Sequence, residues 1–96
     1  MSSSVRVLHV ADCPNTGVAL ERIRAAGGGA RIETVEITTD ADAASAGMRG
    51  SPTILIDGAD PFTPPDTPTG IACRIVPGGD PVPSVEALRA ALADRN

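Results

Sequence analysis

The part of the sequence most informative about the fold is residues 47–58, Gly-Met-Arg-Gly-Ser-Pro-Thr-Ile-Leu-Ile-Asp-Gly. Pro52 immediately precedes four strand-forming residues, and proline is tolerated there only at the start of a strand or at a sheet edge. Residues 53–56 therefore predict a short strand. The Asp57-Gly58 pair that follows is typical of a tight turn and closes the strand.

A cysteine lies at the junction of two further elements near the N-terminus. Residues 5–10, Val-Arg-Val-Leu-His-Val, predict a buried strand. Pro14 fits the first turn of a helix, where its missing N–H has no partner to lose. Apolar residues then recur at helical spacing as far as Ala26. The pattern thus predicts that Cys13 caps the N-terminus of a helix.

The middle of the chain carries three more elements. Residues 30–37 alternate imperfectly between apolar and polar side chains and predict a half-exposed strand. Residues 40–47 predict a short, alanine-rich helix that is capped by Thr39 or Asp40. Residues 71–76 predict a fourth strand.

Between the third and fourth strands, residues 59–70 hold four prolines and a glycine. A connection of this length suggests either a binding role or a surface insertion. Ser84 is expected to cap a final helix. The predicted order is βαβαββα, with strands one and two parallel and strands three and four antiparallel, in one domain over residues 1–96.

The composition excludes several classes of function. The 96 residues are 42% hydrophobic and carry a net charge of −4, with eight basic residues that do not cluster. Nucleic-acid binding needs a basic face, so it is not expected. Phe62 is the only aromatic residue. The sequence predicts no membrane partner, because it has neither a long apolar segment nor a secretory signal, and it points to the reducing cytoplasm.

Residues 38–58 run from an acidic helix start through Gly-hydrophobic-Arg-Gly-x-Pro-Thr to an apolar strand and a glycine turn. This pattern resembles the thioredoxin-like superfamily. The resemblance implies an α/β fold of the minimal glutaredoxin type, with a four-stranded mixed sheet and helices on both faces. It also implies a cis Ser51–Pro52 bond, which presents the Ser51 backbone towards an extended ligand, and a cysteine at a helix N-terminus that faces this proline.

The resemblance implies that Cys13 is the nucleophile of thiol–disulfide exchange, or forms reversible mixed disulfides. Thr16 and the helix N-terminus would stabilise its thiolate. The implied partners are protein or small-molecule thiols and disulfides, with no cofactor and no metal. The residues expected to contact the partner flank the thiol or precede the third strand: Asp12, Pro14, Ser51, Pro52 and Thr53.

Two departures from the family pattern bear on activity. Thr16 stands where a dithiol enzyme carries its second cysteine, which is needed to resolve a mixed disulfide. Monothiol glutaredoxins have a serine there. Asp12 stands in place of the usual aromatic residue, and a neighbouring carboxylate raises the pKa of a thiol. We therefore expect a mildly activated thiol at Cys13.

Cys73 has two interpretations. It alternates with Ile71 and Ile75 along the fourth strand, as a small buried hydrophobic residue would. Alternatively, it is a second thiol that approaches Cys13. Because a reactive thiol needs access, we expect Cys73 to be buried and the two sulfur atoms to lie well apart.

Two alternative functions remain open at the level of sequence. One is a redox-inactive, thioredoxin-like binding module that uses the same groove and the proline-rich segment. The other is a soft-metal or organomercurial thiolate site built from Cys13, Cys73, Asp12 and His9, which residue types alone support. His9 lies in the middle of the first strand, so a buried or edge histidine is expected there.

Overall fold

The computed structural model describes residues 4–11, 13–26, 31–63, 67–73 and 82–94, with only the backbone described at 72, 73 and 94. Eight elements follow one another within these ranges. In chain order they are β1 (Ser4–His9), α1 (Pro14–Ala26), β2 (Arg31–Glu36), α2 (Asp40–Ala46), β3 (Arg49–Ser51), β4 (Thr53–Ile56), β5 (Gly70–Cys73) and α3 (Val85–Asp94).

Three of the strands form a mixed sheet in the order β2-β1-β4. Strand β1 pairs in parallel with β2 along its whole length, as predicted for two strands joined by a helix. On its other side β1 pairs antiparallel with β4, with Val5 opposite Ile56 and Val7 opposite Ile54. The central strand of this sheet is therefore the one that leads directly to Cys13.

The core lies on both faces of this sheet, because successive side chains of β1 point to opposite sides. One face packs Val5 and Val7 against α1 and α3, and the other packs Leu8 against α2. The buried residues of the first cluster are Val5, Val7, Ala19, Ile23, Ile54, Ile56, Val82, Leu88 and Leu92. Those of the second are Leu8, Ile37, Ala43, Met48 and Leu55. Helices thus cover both faces, as predicted.

The pairing of β5 differs from the prediction. We expected a strand over residues 71–76 to run antiparallel to residues 53–56 in one four-stranded sheet. In the described residues β5 instead pairs in parallel with β3, a strand that the sequence does not predict. A parallel pair needs a crossover of a dozen or more residues, and β4 with the proline-rich segment supplies it. Residues 74–76 lie outside the described ranges.

The helix ends and the turn after β4 form where local sequence signals predict them. The Thr39 hydroxyl accepts a hydrogen bond from Asp42 N–H at 3.1 Å, so Thr39 is the N-cap of α2. Gly47 ends this helix with a φ of 83°. Asp57 and Gly58 also have positive φ, as a two-residue turn requires. Ser84 caps α3 through a 3.1 Å hydrogen bond from Ala87 N–H. None of the helices in the described ranges has the length and apolar character to cross a membrane.

Candidate functional site

Cys13 lies immediately before α1, at the end of the chain segment that leaves β1. Its carbonyl oxygen accepts a hydrogen bond from Thr16 N–H at 3.3 Å, which begins the first turn. The Cys13 side chain is partly buried, and its thiol is free. A group at a helix N-terminus lies close to the backbone N–H groups of the first turn. In this chain, the backbone N–H groups of Asn15 and Thr16 act on the thiol.

Ser51, the last residue of β3, faces this thiol from the other side. It is 0% exposed. Its hydroxyl oxygen accepts a hydrogen bond from Val10 N–H at 3.2 Å, which joins β3 to the segment between β1 and Cys13. The Ser51–Pro52 peptide bond is cis, which confirms that prediction.

The pKa of the Cys13 thiol is lowered by the groups around it. Burial, the largest single influence, raises this pKa. The Ser51 hydroxyl, the Asn15 backbone, and the hydroxyl and backbone of Thr16 lower it, and together they outweigh burial. The Thr16 hydroxyl lies near enough to contribute, although its buried Oγ1 makes no hydrogen bond of good geometry to a described residue. The thiolate is thus favoured by neutral donors.

The segment that follows Ser51 is buried. Pro52 has no significant exposure, and Thr53 is 0% exposed. The Thr53 hydroxyl donates to the Gly50 carbonyl oxygen at 2.6 Å and accepts from Arg49 N–H at 3.0 Å. Its side chain therefore holds the backbone of β3 in place. Sequence analysis predicted that this segment contacts a partner through its backbone atoms, and not through these side chains.

Along β3, the chain's own strand β5 occupies one edge. Gly70 N–H donates to the Met48 carbonyl oxygen at 3.0 Å, and Cys73 is the register partner of Ser51. An extended partner was expected beside Ser51, and a strand of the same chain already lies along this edge. The thiol of Cys13 remains partly exposed.

Several predicted site residues fall outside what the structure describes. Asp12 is not among the described residues, and the side chain of Cys73 is not described. The predicted soft-metal set therefore includes two side chains outside the described part. Among the described residues, no group of three or more His, Cys, Asp and Glu side chains is arranged to hold a metal ion.

Two other features lie outside the thiol site. His9 is partly buried, and its Nδ1 lies 3.2 Å from the Val10 carbonyl oxygen, to which it donates. A cavity of about 210 Å³ lies at the opposite end of β1, between the start of that strand and the turn after β4. Its lining residues are Ser4, Arg6, Leu55, Asp57 and Gly58. Neither feature involves Cys13.

The contact that sequence analysis missed is the Ser51 hydroxyl. Ser51 was expected to offer its backbone to a partner, whereas its hydroxyl lowers the pKa of the Cys13 thiol. The only signal for this in the sequence is the choice of a hydroxyl residue before the predicted cis-proline. Because residues 13 and 51 are far apart along the chain, local sequence patterns do not indicate that they act on each other.

No protein-family model, curated protein or solved structure matches this chain. The chemistry of Cys13 and its neighbours is therefore the feature of this chain that indicates a function.

Proposed function

We propose that this chain is a thioredoxin-like monothiol protein whose Cys13 carries out thiol–disulfide exchange or forms reversible mixed disulfides. The observation that carries the proposal is the lowered pKa of the Cys13 thiol, which lies at the start of α1. The thiolate is the nucleophile in such reactions, so a lower pKa raises its fraction near neutral pH. The parallel pairing of β1 with β2, the helices on both faces of the sheet and the cis Ser51–Pro52 bond also support the proposed fold family.

The proposed reaction exchanges one partner of a disulfide bond and needs no cofactor. The Cys13 thiolate attacks one sulfur of a disulfide R–S–S–R′, the S–S bond breaks, and R′–S⁻ leaves as Cys13–S–S–R forms. A second thiolate, R″–S⁻ from solution, then attacks the sulfur of R, the bond from Cys13 to that sulfur breaks, and R–S–S–R″ leaves as the Cys13 thiolate is regenerated. Thr16 occupies the position of a second cysteine, so the second step uses an external thiol.

The partner that fits this site best is a small disulfide. Strand β5 lies along β3 beside Ser51, and Pro52 and Thr53 are buried. An extended peptide would have to displace β5 to pair with this edge. A small disulfide needs access only to the partly exposed thiol. A free thiol also fits the reducing conditions of the cytoplasm, which we propose as its compartment.

The test is the reaction of Cys13 with a small aromatic disulfide that releases a coloured thiolate. The rate is measured against pH for Cys73→Ser, in which Cys13 is the only thiol, and compared with free cysteine. We expect a faster reaction than that of free cysteine below its pKa, and mass spectrometry should detect one mixed disulfide. Cys13→Ser/Cys73→Ser is the matched control and should not react.

The alternative is a redox-inactive binding module, and the same experiment separates the two functions. A midpoint at or above about 8.5, the ordinary value for a thiol, together with no acceleration over free cysteine, would rule out the exchange function. In that case the site would be a binding module.

A further inference from the structure

Strand β5 is attached to the fold by a short and irregular pairing. It pairs with β3 at two positions, Arg49 with Gly70 and Ser51 with Cys73, and the register shifts between them. By comparison, β1 pairs with β2 along its whole length. Among the described residues β5 has no other strand partner, so β3 and β5 form a separate sheet. Two strands alone are marginally stable, and parallel pairing is slightly weaker per residue than antiparallel pairing.

The described side chains of β5 add little to this attachment. A side-chain carbon at Gly70 would meet nothing within 4 Å, so this end of the strand is surrounded by open space. Ile71 is only partly buried, and it packs against the cluster that contains Leu8 and Met48. In β4, by contrast, every side chain is buried. Strand β5 is therefore held mainly by Ile71 and by the hydrogen bond from Gly70 N–H to the Met48 carbonyl oxygen, at 3.0 Å.

We propose that β5 is a displaceable, autoinhibitory strand that occupies a peptide-binding edge of β3. The docked strand itself shows what this edge accepts, which is an extended peptide parallel to β3 with an aliphatic side chain at the position of Ile71. Backbone groups at a strand edge supply affinity for such a peptide, and a pocket for one side chain supplies specificity. Because residues 57–69 tether β5 to β4, its effective concentration exceeds that of a free peptide.

This edge lies beside the thiol site. Ser51, which pairs with Cys73 in β5, accepts a hydrogen bond from Val10 N–H at 3.2 Å, and Val10 precedes Cys13 by three residues. A peptide in place of β5 would have its fourth residue beside Ser51. Its binding involves no reaction of Cys13, so it is independent of the proposed exchange function.

Amide hydrogen exchange tests whether β5 leaves its edge without unfolding of the whole domain. We expect the Gly70 amide to exchange faster than the amides of β1, which has a strand on both sides, and to be insensitive to low urea concentrations. Gly70→Val should slow the exchange at this position, because a β-branched residue favours a strand and the open space accommodates it. Exchange at Gly70 only together with β1, with the same urea dependence, would overturn the proposal.

Peptide binding under reducing conditions tests the edge itself. The probe is a fluorescent peptide with the sequence of residues 67–73, carrying Cys73→Ser. In the protein, Gly70→Pro removes the N–H that binds the Met48 carbonyl oxygen and should release β5. Fluorescence anisotropy should show that this variant binds the probe about 10-fold or more tighter than the parent protein, because the tethered strand no longer competes. A probe that also carries Ile71→Asp should not bind.

Thr69→Pro is the matched control, because Thr69 is exposed and lies outside β5. This variant should bind the probe as weakly as the parent protein. If Gly70→Pro fails to fold by circular dichroism, Ile71→Ala is the second release variant and should also bind more tightly. Equal binding by the parent protein and a folded release variant would overturn the proposal. Adding Cys13→Ser to the release variant should leave binding unchanged, so a failure of the exchange function would not affect this result.

Discussion

Cys73 is the register partner of Ser51 in the parallel pair of β3 and β5. The Ser51 hydroxyl in turn lowers the pKa of the Cys13 thiol. One residue, Ser51, therefore links the backbone position of the second cysteine to the reactive thiol. The relationship brings the two cysteines, sixty residues apart in the sequence, to the same part of the fold.

The first prediction concerns the oxidation of these cysteines. A reactive thiol needs access, whereas the sequence places Cys73 in alternation with Ile71 and Ile75, as expected for a buried strand residue. We expect mild oxidation to give dimers linked through Cys13, both in the intact protein and in Cys73→Ser. Non-reducing gel electrophoresis and peptide mass spectrometry measure the products. An intramolecular Cys13–Cys73 disulfide in the intact protein would instead make Cys73 the resolving thiol.

The second prediction is a pH-dependent stability contributed by Cys13. Its pKa is lower in the folded protein, so the unfolded chain binds more protons and the folded state gains stability as the pH rises. This contribution is fully present above the unfolded-state pKa of about 8.5, and it is lost as the pH falls through the folded-state pKa.

Urea unfolding of Cys73→Ser and of Cys13→Ser/Cys73→Ser at several pH values measures this effect. The difference between their free energies of unfolding should grow from acidic to alkaline pH in favour of the protein that keeps Cys13. A difference that is constant with pH would show that the folded protein does not stabilise the thiolate.

The third prediction concerns the support of β3 by Thr53. The Thr53 hydroxyl binds both the Gly50 carbonyl oxygen and Arg49 N–H. Thr53→Val keeps the shape of the side chain and removes the partner of these partly buried groups, at a cost of about 1–3 kcal/mol. Urea unfolding measures the loss. Thr34→Val, at an exposed position of β2, serves as the control and should change the free energy of unfolding by less than about 0.5 kcal/mol.

The fourth prediction tests the N-cap of α2. Thr39→Ala removes the hydroxyl that accepts from Asp42 N–H, which should lower the free energy of unfolding by about 1 kcal/mol. Thr38→Ala changes the exposed neighbour and should have little effect. Equal effects of the two substitutions on the urea midpoint would show that the cap contributes nothing.

The sequence by itself determined the features that depend on near neighbours. A cap of α2 at Thr39 or Asp40, a helix over residues 40–47 and the turn at Asp57 and Gly58 were all predicted, and the structure places the cap at Thr39. Their causes lie within a few residues, in side chains that bind adjacent N–H groups and in the backbone freedom of glycine. The parallel pairing of β1 and β2 followed from the single helix that joins them.

The tertiary structure alone decided the pairing of β5 and the surroundings of Cys13. The pairing of a strand depends on which sheet edge its connection reaches. Nothing in the sequence of residues 59–70 indicates that β5 pairs with β3 and not with β4. The Ser51 hydroxyl lowers the pKa of Cys13 from a strand, β3, that a hydrogen bond from Val10 N–H joins to the segment after β1. Such contacts join segments that are distant in the chain, so their geometry is set by packing and cannot be deduced from local residue patterns.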